Sequence, residues 1–527
     1  MKRISSVVFL SFVFCYTPVL AQFQAPAEEA LAKMITAEGL EQHARKLASP
    51  EFEGRETGTE GQHNAALYIA SIFESYGLPK VGEEGSYFQK ISFLSENWEK
   101  ISVALNGETL RNFQDYYAWP SANTSVNLNT GTEILFLGYG IDGETYNDYT
   151  GNDVTGKAIL IYSGEPFQKD SISAVSGKRG PSEWSTDWRL KVRAAKKYGA
   201  TAVFIIDPEF KNNVMEVRKA ILSNRMLLGW GEEPEKWYAN SYFITSETAR
   251  KIVGDQLKVI AKTRKKIQKK GQPQAPIALP CAFEISQKKR VRQIKGDNVL
   301  GFVEGTDPQL RSEVLVVSAH YDHLGKRGDD IYFGADDNAS GSSAVIELAE
   351  VFAAAKKQGT GPRRSVLFLL VSGEEKGLLG SQYYAENPLF PLANTIANVN
   401  VDMIGRQDEK HKDNPDYIYV IGADRLSSEL HEINEKANAT YCKLELDYTY
   451  NAEDDPNRYY YRSDHYNFAE KGIPAIFYFS GTHDDYHRTG DTADKLNYGK
   501  MEKIARLVFH TAWELANRDK RIVVDKK

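Results

Sequence analysis

Side chains that bind hard metal ions recur in five short strings of this 527-residue sequence. The first is Ala319-His320-Tyr321-Asp322-His323 and the second is Gly334-Ala335-Asp336-Asp337-Asn338-Ala339-Ser340-Gly341. Ser372-Gly373-Glu374-Glu375 and Asp402 follow, and Asp485-Tyr486-His487-Arg488-Thr489-Gly490-Asp491-Thr492 comes last. Imidazole with carboxylate suits zinc, and also cobalt or manganese. No thiolate stands among these strings, and no helical HExxH motif is present, which sets aside the common one-zinc protease design.

The surrounding pattern explains how strings so far apart could meet. Apolar runs at 314–318, 366–371, 396–401, 417–421 and 475–479 read as strands. Between them the spacing predicts a helix from Ser343, with Val345, Leu348, Ala349 and Phe352 on one face, and another near 378–386. A last helix is expected over 501–516, with Ile504, Leu507, Val508 and Leu515 inward. Such alternation indicates an α/β domain with a mostly parallel central sheet flanked by helices. Ligands in such sheets bind beyond the carboxyl ends of the strands, where four of the strings lie. A carboxylate buried there needs a charge partner, because desolvating it unpaired is expensive. A pair of divalent metals would be such a partner.

Earlier in the chain, residues 40–76 read as a glycine-punctuated loop followed by a helix carrying Ile69, Ile72, Phe73 and Tyr76. From about 112 the texture becomes β-rich. Short apolar runs at 134–137, 158–162 and 202–206 surround a basic helix over 189–198. That unit is expected to close in the polar stretch 262–276, whose Gln272-Pro273-Gln274-Ala275-Pro276 is linker-like.

The ends and the charge bound the class of protein. Lys2 and Arg3, an apolar stretch over 7–20 and Ala21 read as a signal peptide cut after Ala21, so the protein is expected to be exported, periplasmic or secreted. Removing it takes the net charge from −6 to −8, which argues against a nucleic-acid partner. The basic run 262–270 has no interleaved aromatics to stack bases and reads as a solvated linker or helix face. No later run of eighteen apolar residues predicts membrane insertion. Cys281 and Cys442 are the cysteines left after cleavage, and spacing alone does not say whether they pair.

Together these strings resemble the co-catalytic two-zinc peptidase family of bacterial leucyl aminopeptidases and glutamate carboxypeptidase. The likeness covers residues 40–88 and 298–516, and the part between resembles an inserted protease-associated domain, suggested by the 156–161 strand and the 195–207 helix–strand unit. With the signal peptide at 1–21, the resemblance implies peptidase residues 22–111 and 277–527 and the insert at 112–276. It implies two Zn2+ per chain: one on His320 and Asp402, one on Glu375 and His487, with Asp337 bridging. It makes Glu374 the catalytic base, with Asp322 holding the second ring nitrogen of His320. Arg462-Ser463-Asp464-His465 also resembles a family string, with His465 set to stabilise an oxyanion or to serve in hydrogen bonding. Asp491 is expected to orient His487 or cap the next turn. Lys376 departs from the apolar or uncharged residue of many relatives and is expected at the rim of the cleft.

The function so implied is a secreted exopeptidase acting on peptide substrates, an aminopeptidase or a carboxypeptidase. The acidic run Glu453-Asp454-Asp455 favours a substrate amine, whereas Arg406, Arg458 and Arg462 favour a carboxylate. A one-zinc glutaminyl cyclase and a catalytically inert receptor-like protein are the rivals. The complete ligand set speaks against both.

Overall fold

The computed structural model describes residues 25–222, 226–229 and 237–526. The expected signal peptide at 1–21 lies outside them. Among the described residues, no helix is long and apolar enough to cross a membrane.

The main sheet runs Glu445–Asp447, Tyr417–Ile421, Ala475–Phe479, Thr395–Val401, Val314–His320, Ser365–Val371, Phe283–Val303, Phe88–Leu105 and Glu108–Thr109. The four central strands, Ala475–Phe479 to Ser365–Val371, are mutually parallel. Antiparallel pairs flank them on both sides. Each central strand is a run of buried residues because both faces are covered, as parallel sheets require. Leu315, Val317 and Ala319 join one core with Val345, Leu348, Ala349 and Phe352 of helix Gly341–Lys357 and Ile504, Leu507 and Val508 of helix Tyr498–Asn517. Val314 and Val316 pack on the other face with Tyr384 and Phe468. Full burial of one such side chain contributes about 1.5–3 kcal/mol, so these two layers fix the strand register that the site depends on.

The expected strands and helices of this domain are present, and the structure adds three elements. Helix Ala37–Leu47 precedes the glycine loop, its N–H groups capped by Thr36. Strands Phe88–Leu105 and Phe283–Val303 form a long antiparallel ribbon, from Phe88 opposite Val299 to Leu105 opposite Phe283. The stretch 262–270, read as linker or helix face, belongs to helix Leu257–Lys270, and only the residues from Gly271 onward are irregular before strand Ile277–Leu279.

The ribbon leads into a second sheet, in the order Ile277–Leu279, Ile134–Phe136, Ala158–Tyr162, Ala202–Ile206, Asn240–Ile244, Tyr116–Tyr117. It has cores of its own on both faces. Cys281 is buried in one of them, while Cys442 packs against the main core, and both are free thiols.

Candidate metal centre

The site is assembled by strand ends and the loops that follow them. His320 closes strand Val314–His320, Asp402 follows Thr395–Val401, and Glu374 and Glu375 follow Ser365–Val371. The turn that presents the two glutamates begins at Gly373, whose φ of 77° lies in the left-handed region that favours glycine. The loop bearing Asp337 opens at Gly334, where a Cβ would stand 2.3 Å from the Asp337 carbonyl oxygen and 2.4 Å from the His323 ring. Asn338 ties this loop to the next strand end. Its Oδ1 accepts from the Met403 N–H, and its Nδ2 donates to the Val401 carbonyl.

The five expected ligands converge. His320 Nε2 lies 3.3 Å from Asp402 Oδ1 and 3.4 Å from Asp337 Oδ1. His487 Nε2 lies 3.0 Å from Asp337 Oδ2 and 3.4 Å from Glu375 Oε2. Ligand atoms each about 2.1 Å from a tetrahedral ion stand about 3.4 Å apart, so these spacings fit metal-binding corners. Asp337 turns one oxygen toward each histidine, the disposition a bridging carboxylate needs. The donors, imidazole nitrogen and carboxylate oxygen, are those of zinc sites.

Glu374 also lies near the first corner, Oε2 at 3.8 Å from His320 Nε2, and His320, Glu374 and Asp402 could together hold an ion. Electrostatics separates the two adjacent glutamates. Burial drives the Glu374 carboxyl well above its ordinary range, with the Glu375 and Asp402 charges adding to it against the pull of His320. For Glu375, burial and Asp337 push upward, but hydrogen bonding to His323 and His487 prevails and brings it to about 2. Two neighbouring carboxyls driven apart in this way divide naturally into a proton carrier and a permanent anion.

Asp322 supports the second ring nitrogen of His320 through its backbone. The His320 Nδ1–H donates to the Asp322 backbone carbonyl at 3.1 Å, while the carboxylate stands 3.8 Å away. A carbonyl only accepts, so Nδ1 carries the proton and Nε2 is left free to bind metal. The Asp322 carboxylate is used elsewhere: Oδ1 accepts from the Glu374 N–H and Oδ2 from the Thr57 hydroxyl. Asp491 neither orients His487 nor caps the turn after it. Its carboxylate accepts the backbone N–H groups of Asp336 and Asp337, because that loop needs acceptors where it bends around the bridging side chain.

The Arg462–His465 string contributes differently from its reading. Ser463 donates to Asp402 Oδ2 at 2.7 Å. Arg462 lines the cavity over the metal corners, together with Met403, Tyr459, Phe477, Phe479 and Tyr486. His465 is buried one layer behind, its ring stacked on Phe477 at 4.9 Å, and burial holds its imidazole down to about 3. The acidic run turns away from the cavity. Glu453 is exposed beside Arg425, and Asp455 accepts from the Asn457 and Tyr459 N–H groups of its own turn. Of the three arginines, Arg406 pairs with Asp485 and Arg458 lies over Tyr461, so Arg462 alone among them lines the cavity.

His323 is a site residue that sequence reasoning passed over. It is fully buried, with Nδ1 2.8 Å from Glu375 Oε1. Glu375 therefore divides its oxygens, Oε2 toward His487 and Oε1 toward His323. The His-x-x-His spacing was the available signal, but it resembled no ligand motif on a strand end.

Part of the chain is similar to known peptidases. Residues 298–512 match peptidase family M28. A probable leucine aminopeptidase of Trichophyton verrucosum is 29% identical over 238 residues, 44% of this chain and 62% of that protein. Aminopeptidase YwaD of Bacillus subtilis is 26% identical over 222 residues, 41% of this chain and 44% of that protein. Leupeptin-inactivating enzyme 1 of Streptomyces exfoliatus is 32% identical over 201 residues, 38% and 39% of the two chains. This chain thus spans less than two thirds of the length of these curated relatives. The structure of an aminopeptidase from Aneurinibacillus sp. strain AM-1 superposes with a TM-score of 0.53 over 95% of this chain and 98% of that one, at 20% identity, a likeness of fold. All five convergent residues and Glu374 fall inside the segment 298–512 that matches peptidase family M28.

Proposed function

We propose that this chain is an exported zinc aminopeptidase that holds two Zn2+ and removes residues from the amino end of peptides. The observation that carries the reading is the divided carboxylate of Asp337, one oxygen toward His320 and the other toward His487. His320 and Asp402 would hold one ion, Glu375 and His487 the other. When bound, such a pair supplies Lewis acidity, lowering the pKa of a water and polarising the scissile carbonyl.

The chain's own residues then have defined tasks. Glu374 takes the proton of the attacking water and returns it to the leaving amine, a role suited to a carboxyl that burial has made more basic. Asp322 fixes the His320 ring through its carbonyl and the Glu374 backbone through its carboxylate. Met403, Tyr459, Phe477 and Phe479 give the cavity an apolar wall, which favours an apolar terminal side chain. The preference for the amino end draws on the relatives named as aminopeptidases. The second sheet, which fills the stretch expected as 112–276 and adds strand Ile277–Leu279 just beyond it, is read as the protease-associated domain, and the complete ligand set weighs against the cyclase and receptor readings.

A matched pair of blocked peptides tests the reading with zinc-loaded protein. Acetylating the amino end is expected to abolish cleavage, and amidating the carboxyl end to leave it largely intact. The reverse pattern would make the enzyme a carboxypeptidase with the same metal chemistry.

A further inference from the structure

The segment Arg55-Glu56-Thr57 lies some 240 residues before the matched domain, yet it grips the loops that carry the metal ligands. Arg55 is fully buried, and its guanidinium donates to backbone carbonyls among the described residues. Its Nε donates to the Tyr321 carbonyl at 2.7 Å, Nη1 to those of Leu47 and Phe333, and Nη2 to that of Gly334 at 2.8 Å. One guanidinium therefore spans the His320 strand end and the start of the Asp337 loop. The Arg55 carbonyl in turn accepts the His323 N–H at 3.1 Å. Glu56 pairs with Lys376, immediately after the two glutamates, at 2.9 Å, which gives the unusual lysine of that turn its partner.

Thr57 reaches furthest into the site. Its buried hydroxyl donates to Asp322 Oδ2 at 2.8 Å. The other oxygen of that carboxylate accepts the Glu374 N–H at 3.2 Å, and the Asp322 carbonyl accepts from His320 Nδ1. A carboxylate pinned at only one oxygen can rotate, and here rotation would release the Glu374 backbone, while both bonds together hold the Asp322 residue whose carbonyl orients His320. We propose that Thr57, held in place by the Arg55 clasp, is a positioning residue that orients His320 and Glu374 through Asp322 and so completes the metal centre from outside residues 298–512. The proposal rests on the two-metal reading of the site. Outer partners of metal ligands typically contribute 10–100-fold to affinity; Asp322 stands in that relation to His320, and the hydroxyl of Thr57 holds Asp322.

The test uses the whole chain, stripped of metal and titrated with Co2+, following the visible cobalt absorption and competition with a chelator. Wild type is expected to take two equivalents. Thr57→Val, which keeps the shape and removes the donor, is expected to hold one of the two roughly 10–100-fold less tightly and to change its cobalt spectrum. Thr57→Ser is expected to restore both, and the thermal midpoint of the metal-free valine variant to stay close to wild type. Should the valine variant fail to fold, Asp322→Asn, nearly identical in shape, carries the same expectation for cobalt. Wild-type cobalt affinity and spectrum in Thr57→Val, or in Asp322→Asn where the valine variant does not fold, would overturn the proposal. A wild-type chain that binds no cobalt would instead overturn the metal reading beneath it.

Discussion

Replacing Glu374 by Gln separates base from ligand at the position where the geometry allows both. The carboxylate lies 3.8 Å from His320 Nε2, longer than the 3.3 Å and 3.4 Å separations to Asp402 and Asp337. As a base, Glu374 takes a proton that an amide cannot accept, and general-base contributions run at ~10²–10⁴-fold, or about 3–5.5 kcal/mol in the barrier. Gln is nearly isosteric and keeps the backbone N–H that binds Asp322, so the metal corners should stand. The expected result is two metals per chain by elemental analysis and a fall in kcat of at least a hundredfold on an unblocked peptide. Loss of one metal would make Glu374 a ligand, and retention of half the activity would remove it from the mechanism.

Three further expectations follow from the same contacts. Glu375→Gln, which removes the anion shared by His323 and His487, should lower tight metal binding from two equivalents to one, read by elemental analysis after gel filtration. His465→Phe keeps a ring against Phe477 and should leave kcat within a few-fold of wild type, whereas an oxyanion donor would cost ~10²–10³-fold. Burial holds the Lys191 ammonium, in the second sheet's unit, down to about 7, while an unfolded lysine keeps its proton to about 10.4. Between those values the unfolded chain binds more protons, so this residue makes stability climb with pH, and Lys191→Met should flatten the rise in urea midpoint between pH 7 and 9.5. Equal slopes in the two proteins would contradict that account.

The ligands were legible because parallel strands buried on both faces read as unbroken apolar runs, and polar strings at their ends stand out against them. Strand Val314–His320 is buried throughout, and the sequence shows it as such. The ribbon Phe88–Leu105 with Phe283–Val303 was not legible, because its outer half faces solvent and Lys288-Lys289-Arg290 has no apolar alternation. Helix Leu257–Lys270 was legible only as one of two alternatives, linker or helix face, because it buries just Ile260 and Ile267. The clasp at Arg55 and the hydroxyl of Thr57 act on partners some 265 residues away, and no local pattern marks such a contact. The placing of Glu453 and Asp455 depends on where Arg425 and the Asn457 turn fall, which a run of like charges does not show.

Anomalous diffraction at the zinc edge, from crystals of the zinc-loaded chain, tests the central claim most directly. The account predicts two peaks about 3.5–4 Å apart on either side of the Asp337 carboxylate, one beside His320 and Asp402, the other beside Glu375 and His487. A single peak at full occupancy, with Asp337 bound through one oxygen, would contradict it.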